Sequence, residues 1–251
     1  MWLIMVMFVI FTTAFTNLLA YEDMGRFILI TTLYNETNKE RCQEYITCLE
    51  KNLSHPLIES VHVLYDNAKD TEDNQLLAHM KNMRGMPITI SYIVGRPSYG
   101  DCFALANRLY PDRSIILCNG DIYFNETLHK LKHYNLAGKF LALTRWDVGR
   151  DGSLEIFRQY NNGVFCPIWS ETSQDAWIFQ TPIRKFEMDT IKLGTMTCDS
   201  LIAYQAYAAG LQVINPCWSI QACHMHLSQV RNYDSTLRGQ GQWMSVPWCE
   251  L

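Results

Sequence analysis

The sequence predicts an α/β fold: a Rossmann-like, mostly parallel sheet flanked by helices, with a smaller hairpin and loop region. Short apolar, β-branched runs alternate with longer helical stretches in the first half of the chain, the order that builds βαβ units. Within that order, Ser114-Ile115-Ile116-Leu117-Cys118 is an apolar run bounded by polar residues, as expected of a strand buried on both faces.

The first strand is expected at Phe27–Leu33, followed by the loop Tyr34–Asn38 and a helix over Lys39–Lys51. A second strand, Val61–Tyr65, ends at Asp66-Asn67, and a helix follows near Asp73–Lys81. Ile88–Ile93 makes the third strand, Asp101–Leu109 a helix and Ser114–Cys118 the fourth strand, with right-handed crossovers. After Asp121 the rhythm changes. A short helix is expected at Glu126–His133 and a strand at Phe140–Thr144. Asp147–Gln174 is rich in Gly, Asn, Ser and aromatics without a period, which predicts loop and hairpin. Ala176–Phe179 returns to the sheet, Asp199–Ala209 forms a helix closed by Gly210, and Leu211–Ile214 is a last strand. There are no repeats or linkers, so one domain over residues 26–233 is expected, with a leader before it and a tail or lid over 234–251.

The chain has 251 residues, 48% of them hydrophobic and 18% charged, with a formal net charge of -4. No Lys/Arg-rich run or basic stripe is present, which argues against nucleic acid as a partner. Trp2 to Ala20 carries no charged side chain, and Glu22, Asp23 and Arg26 end the apolar stretch. Residues 1–20 are therefore expected to be a secretory signal peptide or a short signal anchor. That places the chain in the secretory pathway: in the ER or Golgi lumen, secreted, or held at a membrane. Three sequons begin at Asn35, Asn52 and Asn125, of which those at Asn35 and Asn125 flank the expected ligand site. Nine cysteines include no Cys-x-x-Cys pair, which argues against zinc-ribbon and thioredoxin-like readings. Cys42 and Cys48 point in different directions on their helix, while a disulfide among Cys166, Cys198, Cys217, Cys223 and Cys249 stays open.

Asn119-Gly120-Asp121 closes the fourth strand, and ligands of open α/β sheets bind just beyond the carboxyl ends of strands. An acid there, beside a glycine that permits close backbone approach, suits a divalent cation carrying phosphates. The tripeptide resembles the Asp-x-Asp signature of GT-A-fold glycosyltransferases, which use nucleotide-sugar donors, with Asn in place of the first Asp. The likeness continues through Ile122-Tyr123-Phe124-Asn125-Glu126-Thr127-Leu128, Leu143-Thr144-Arg145-Trp146 and Ser173-Gln174-Asp175-Ala176-Trp177-Ile178-Phe179. It takes in the Cys198-Asp199 helix, Val213-Ile214-Asn215-Pro216 and His224-Met225-His226-Leu227-Ser228. Together these segments span about Arg26 to Tyr233 and are similar to a microbial, algal and large-virus subgroup of the superfamily.

The resemblance implies transfer of a sugar from a UDP- or GDP-sugar to a glycan, protein or lipid hydroxyl. It implies Asp121 as a metal ligand, joined by His224 or His226, which on a strand share one face. Imidazole beside carboxylate favours Mn²⁺ over Mg²⁺. Asn119, a weaker ligand, is expected to bond ribose or a metal-bound water, next to Gly120. Thr32, Leu33, Tyr34 and Glu36 at the first strand end, and Asp66 and Asn67 at the second, are expected to hold the nucleotide, with Arg96 near its diphosphate. Asp199 ranks ahead of Asp175 as the base of an inverting reaction. Arg145, Trp146 and Asp147 follow a strand on the expected acceptor side. Two other readings compete. A non-catalytic glycan- or nucleotide-binding protein is kept open by Asn119. A sugar nucleotidyltransferase needs a glycine-rich basic loop that Tyr34–Asn38 lacks.

Overall fold

Seven elements alternate as expected: β1 (Phe27–Tyr34), α1 (Lys39–Leu53), β2 (Ile58–Asp66), α2 (Gln75–Asn82), β3 (Ile88–Ile93), α3 (Tyr99–Leu109) and β4 (Ser114–Asn119). The computed structural model describes residues 26–230 and 238–251, apart from 69, 72, 73 and 84. The leader at 1–20 and the first part of the tail lie outside the described residues. Local chemistry sets the helix starts. The Asn38 side chain accepts the Arg41 N–H and caps α1. Ser98 and Asp101 form a reciprocal capping box, so α3 starts at Tyr99, two residues before the expected Asp101. Asn74 caps α2 by accepting the Leu77 N–H.

The second half contains β5 (Ile122–Phe124), a 3₁₀ helix (Glu126–Leu131), β6 (Lys139–Leu143), β7 (Arg145–Val148), β8 (Leu154–Ile156), β9 (Tyr160–Asn161), β10 (Val164–Phe165) and α4 (Pro167–Ser170). It ends with β11 (Ala176–Gln180), α5 (Cys198–Ala208), β12 (Gln212–Ile214) and β13 (Ala222–His224). The large sheet has the order β12-β6-β11-β4-β1-β2-β3, and β11 runs antiparallel to both of its neighbours. Strand alternation divides its side chains between two cores. Leu29, Ile116, Leu141 and Ile178 face α1 and α2, while Ile30, Leu117, Phe140 and Trp177 face α3 and α5. Both faces are covered, which is why these strands read as near-continuous apolar runs.

A second sheet, β5-β13-β7-β8, was not foreseen beyond its β7–β8 region. Its strands have three or four residues each, too few for a period to register. The chain changes sheets at Thr144, whose N–H donates to the buried Asn215 side chain at 3.1 Å. The open disulfide expectation is corrected: all nine cysteines are unpaired thiols, most of them buried in apolar surroundings. No helix among the described residues is long and apolar enough to cross a membrane. The Asn52 sequon is unsuited to a glycan, because its buried amide donates to Ile122 O and accepts from the Phe124 N–H.

Candidate active site

A cleft of about 690 Å³ opens at the carboxyl ends of β1, β2 and β4. Thr32, Leu33, Tyr34, Glu36, Asp66, Arg96, Asn119, Gly120 and Asp121 all line it, so nine expected site residues meet in one place. Gly120 is needed there for packing. A Cβ on it would lie 2.5 Å from Leu33 Cδ2, so the close approach it permits is to β1. The Tyr34 hydroxyl lies 3.1 Å from that of Tyr45 and donates to Glu36 at 3.2 Å, holding the ring at the cleft wall. The Asp66 carboxylate accepts the N–H groups of Ala68 and Gly95 at 2.9 and 2.8 Å, tying β2 to the loop after β3. Arg96 donates to Gly194 O at 2.6 Å on the rim.

One residue expected to hold the nucleotide falls elsewhere. Asn67 is absent from the cleft lining; its backbone pairs with Ile93 and Asp70 in the turn after β2. Trp146 leaves β7 on the face opposite Arg145 and Asp147, because strand neighbours alternate. Its indole N–H donates to Cys217 O at 2.9 Å and its ring meets Trp218 edge-on.

At the inner end of the cleft the small sheet brings His224 to Asp121. β13 pairs with β5 so that His224 lies opposite Ile122, and with β7 so that it also lies opposite Asp147. His224 Nε2 lies 3.2 Å from Asp121 Oδ2 and Nδ1 lies 2.7 Å from Asp147 Oδ1. The same Asp121 oxygen is paired with Arg41 from α1. Arg41 also donates to Glu44 at 2.8 Å and to Met225 O at 3.1 Å. Farther along, Arg145 bonds Asp147 at 2.9 Å and Asp175 at 3.1 Å, and Asp175 accepts the Asn119 amide at 2.8 Å. The result is one line of alternating charge: Glu44, Arg41, Asp121, His224, Asp147, Arg145, Asp175.

At Asp121 and His224 the neighbouring opposite charges work against burial. Burial favours the neutral form of Asp121, but His224 and Arg41 outweigh it and hold its carboxyl far below the usual range. Burial favours neutral His224, yet Asp121 and Asp147 raise it to about 9. Asp199, at the start of α5, has the opposite fate. Burial and the nearby Asp175 charge raise it to about 8, although Cys198 donates to it at 3.1 Å. It does not cap its helix; Thr197 occupies that position.

Asp121, His224 and His226 each offer a ligand atom within 4.8 Å of the others. His226 lies beyond the end of β13, so chain direction after the strand, rather than strand alternation, brings it there. Its Nε2 must donate to Val230 O at 2.9 Å, which leaves the lone pair of the neutral ring on Nδ1. Asp147 likewise fixes Nδ1–H of His224 and aims Nε2 at Asp121, as carboxylates behind metal-bound histidines do. One carboxylate and two oriented imidazoles fit a transition-metal dication such as Mn²⁺ better than Mg²⁺. Ligation by His224 requires loss of the Nε2 proton.

Arg41 and Glu44 were not expected in the site, and Asp147, expected with Arg145 on the acceptor side, stands against His224. Arg41 and Glu44 carried one signal: two charges three apart on a helix face shared with apolar Tyr45 and Cys48.

No protein-family model matches the chain, and no curated protein matches it. Its fold is similar to that of the mannosyltransferase PcManGT from Pyrobaculum calidifontis, solved with GDP-Man and Mn²⁺. The TM-score is 0.50 at 12% identity, over 80% of this chain and 56% of that one. GalNAc-T7, solved with UDP, GalNAc and Mn²⁺, matches with a TM-score of 0.52 at 6% identity, over 80% of this chain and 43% of that one. The chain thus spans about half the length of these structures. Its fold is the GT-A type of nucleotide-sugar glycosyltransferases: a mostly parallel sheet flanked by helices, with the antiparallel β11 inside it.

Proposed function

We propose that this chain is a metal-dependent, inverting glycosyltransferase that moves a sugar from a UDP- or GDP-sugar to an acceptor hydroxyl. The observation that carries the reading is the line of alternating charge along the inner end of a nucleotide-sized cleft. Thr32, Tyr34 and Asp66 would hold the nucleoside, with the diphosphate directed toward Asp121. A dication held by Asp121, His224 and His226 would supply neutralising charge for the leaving diphosphate. Arg41 keeps Asp121 ionised and in place, and Asp147 keeps His224 oriented. Asp199 would accept the acceptor's hydroxyl proton as its oxygen attacks the anomeric carbon. The new C–O bond forms as the bond to the diphosphate oxygen breaks, and that oxygen keeps the electron pair. A single displacement of this kind inverts the anomeric configuration.

A nucleotide- or glycan-binding protein without turnover is the second reading. The observation in its favour is Asn119, which stands where a second acid would serve the metal and turns instead to Asp175.

Thermal unfolding with UDP or GDP, each with and without Mn²⁺, tests the donor site, because a native-state ligand raises apparent stability. One nucleotide is expected to raise Tm only with Mn²⁺, and Asp121→Asn is expected to abolish the shift. Equal Tm values under every condition would contradict the donor site.

A further inference from the structure

A second cleft, of about 570 Å³, lies on the α5 side of the molecule, between α4 and the segment around Arg238–Trp243. Two tryptophans line it and remain open to solvent, Trp169 at 45% and Trp243 at 59% exposure. Its other wall is polar. Thr172 donates to Trp169 O at 2.9 Å, the buried Ser200 to Thr197 O at 3.1 Å, and the Thr197 hydroxyl lies 2.5 Å from Met196 O and 3.2 Å from Gly239 O. With their protons spent on the backbone, the half-buried Thr172 and Thr197 hydroxyls keep lone pairs to offer as acceptors. Arg238 and Gln240 add N–H donors. The segment is held close to α5 by glycine: a Cβ on Gly239 would lie 2.3 Å from Leu201 Cδ1, and Gly241 has φ +138. Met244 N–H and Val246 N–H then bond Ser200 O and Glu171 O, fixing the wall from the far end.

We propose that this cleft binds a neutral saccharide and that, given the transferase reading above, the saccharide is the acceptor. A pyranose has an apolar C–H face and a rim of hydroxyls that both donate and accept. Indole faces beside hydroxyl, amide and guanidinium groups complement both parts. A purely apolar ligand would strip water from these polar groups without replacing their bonds. A polyanion would meet a single lining cation, Arg238. The position also serves transfer. Thr197, which lines the cleft, is the N-cap of α5, the helix whose first turn carries Asp199. A sugar in the cleft lies against that helix end, with Asp199 itself outside the lining.

Binding of the full-length protein to an array of neutral and anionic glycans tests this, with affinities of the positive glycans measured in solution. Wild type is expected to bind neutral pyranose glycans. Trp243→Ala and Trp169→Ala are each expected to weaken them about tenfold, the loss of one well-stacked contact. Trp243→Phe, which keeps a ring face, is expected to retain most of the affinity. The nucleotide- and Mn²⁺-dependent Tm shift, measured in parallel, is expected to be equal in wild type and all three variants. Absence of any glycan signal, binding confined to anionic glycans, or unchanged affinity in Trp243→Ala would overturn the proposal. Glycan binding lost in the tryptophan variants, in a protein with no nucleotide shift, would support the saccharide site while removing the transferase reading.

Discussion

Asp199→Asn is expected to lower the transfer rate by about 10²–10⁴-fold, the usual contribution of a positioned general base, while nucleotide affinity stays unchanged. The asparagine amide keeps the size of the side chain but cannot take a proton. Groups around Asp199 set the pH dependence. Tyr99 and Cys198 are held neutral by burial, while Asp175 contributes negative charge partly offset by Arg145. Burial and Asp175 raise Asp199 to about 8, so the rate should climb as pH rises through that value. Stability should move the other way. The folded state holds this proton more tightly than the unfolded chain, so stability falls as pH rises from about 4 to about 8 and then levels off. In Asp199→Asn that component of the decline should vanish. Pre-steady-state turnover and Tm, each followed across this range, check both signs. A variant that keeps wild-type turnover would move the base role to Asp175 or remove it.

Arg41→Met should produce the largest loss of stability, about 3–5 kcal/mol, because it strands two buried carboxylates, Asp121 and Glu44. Both side chains are largely buried, Asp121 at the cleft wall, so water replaces the guanidinium poorly. Glu44 also accepts the Ser228 N–H at 2.6 Å and its hydroxyl at 3.0 Å, so the loss should spread to the segment after His226. Urea unfolding of Arg41→Met, Asp121→Asn and the double variant forms a cycle that isolates the pair. The double variant is expected to be less destabilised than the sum of the singles, since neutral Asn needs no counter-charge. Strict additivity would show that Arg41 and Asp121 do not act together.

Much of the scaffold was legible in the sequence because each strand of the large sheet is a distinct apolar run and each early helix has its own cap. Asn119-Gly120-Asp121 was legible for the same reason: a polar tripeptide closing a buried strand can only lie at the sheet edge where ligands sit. Arg41 was not, since nothing local distinguishes it from a solvated helical arginine; only the packing of α1 against β2 and β5 turns it inward. Asp147 needed the pairing of β7 with β13, two strands too short to signal themselves. The alternation of Trp146 with Arg145 was hidden for the same reason, because the strand that carries both is so short. His226 reached the site although the strand expected to carry it ends two residues earlier, at His224.

Turnover at this site is measured as release of nucleoside diphosphate from a panel of UDP- and GDP-sugars, with Mn²⁺ and a glycan bound by the second cleft as acceptor. Release is expected from donors of one base only, dependent on acceptor and Mn²⁺ and reduced in Asp199→Asn. Nucleotide binding without release from any donor would contradict it and leave a binding protein on a glycosyltransferase fold.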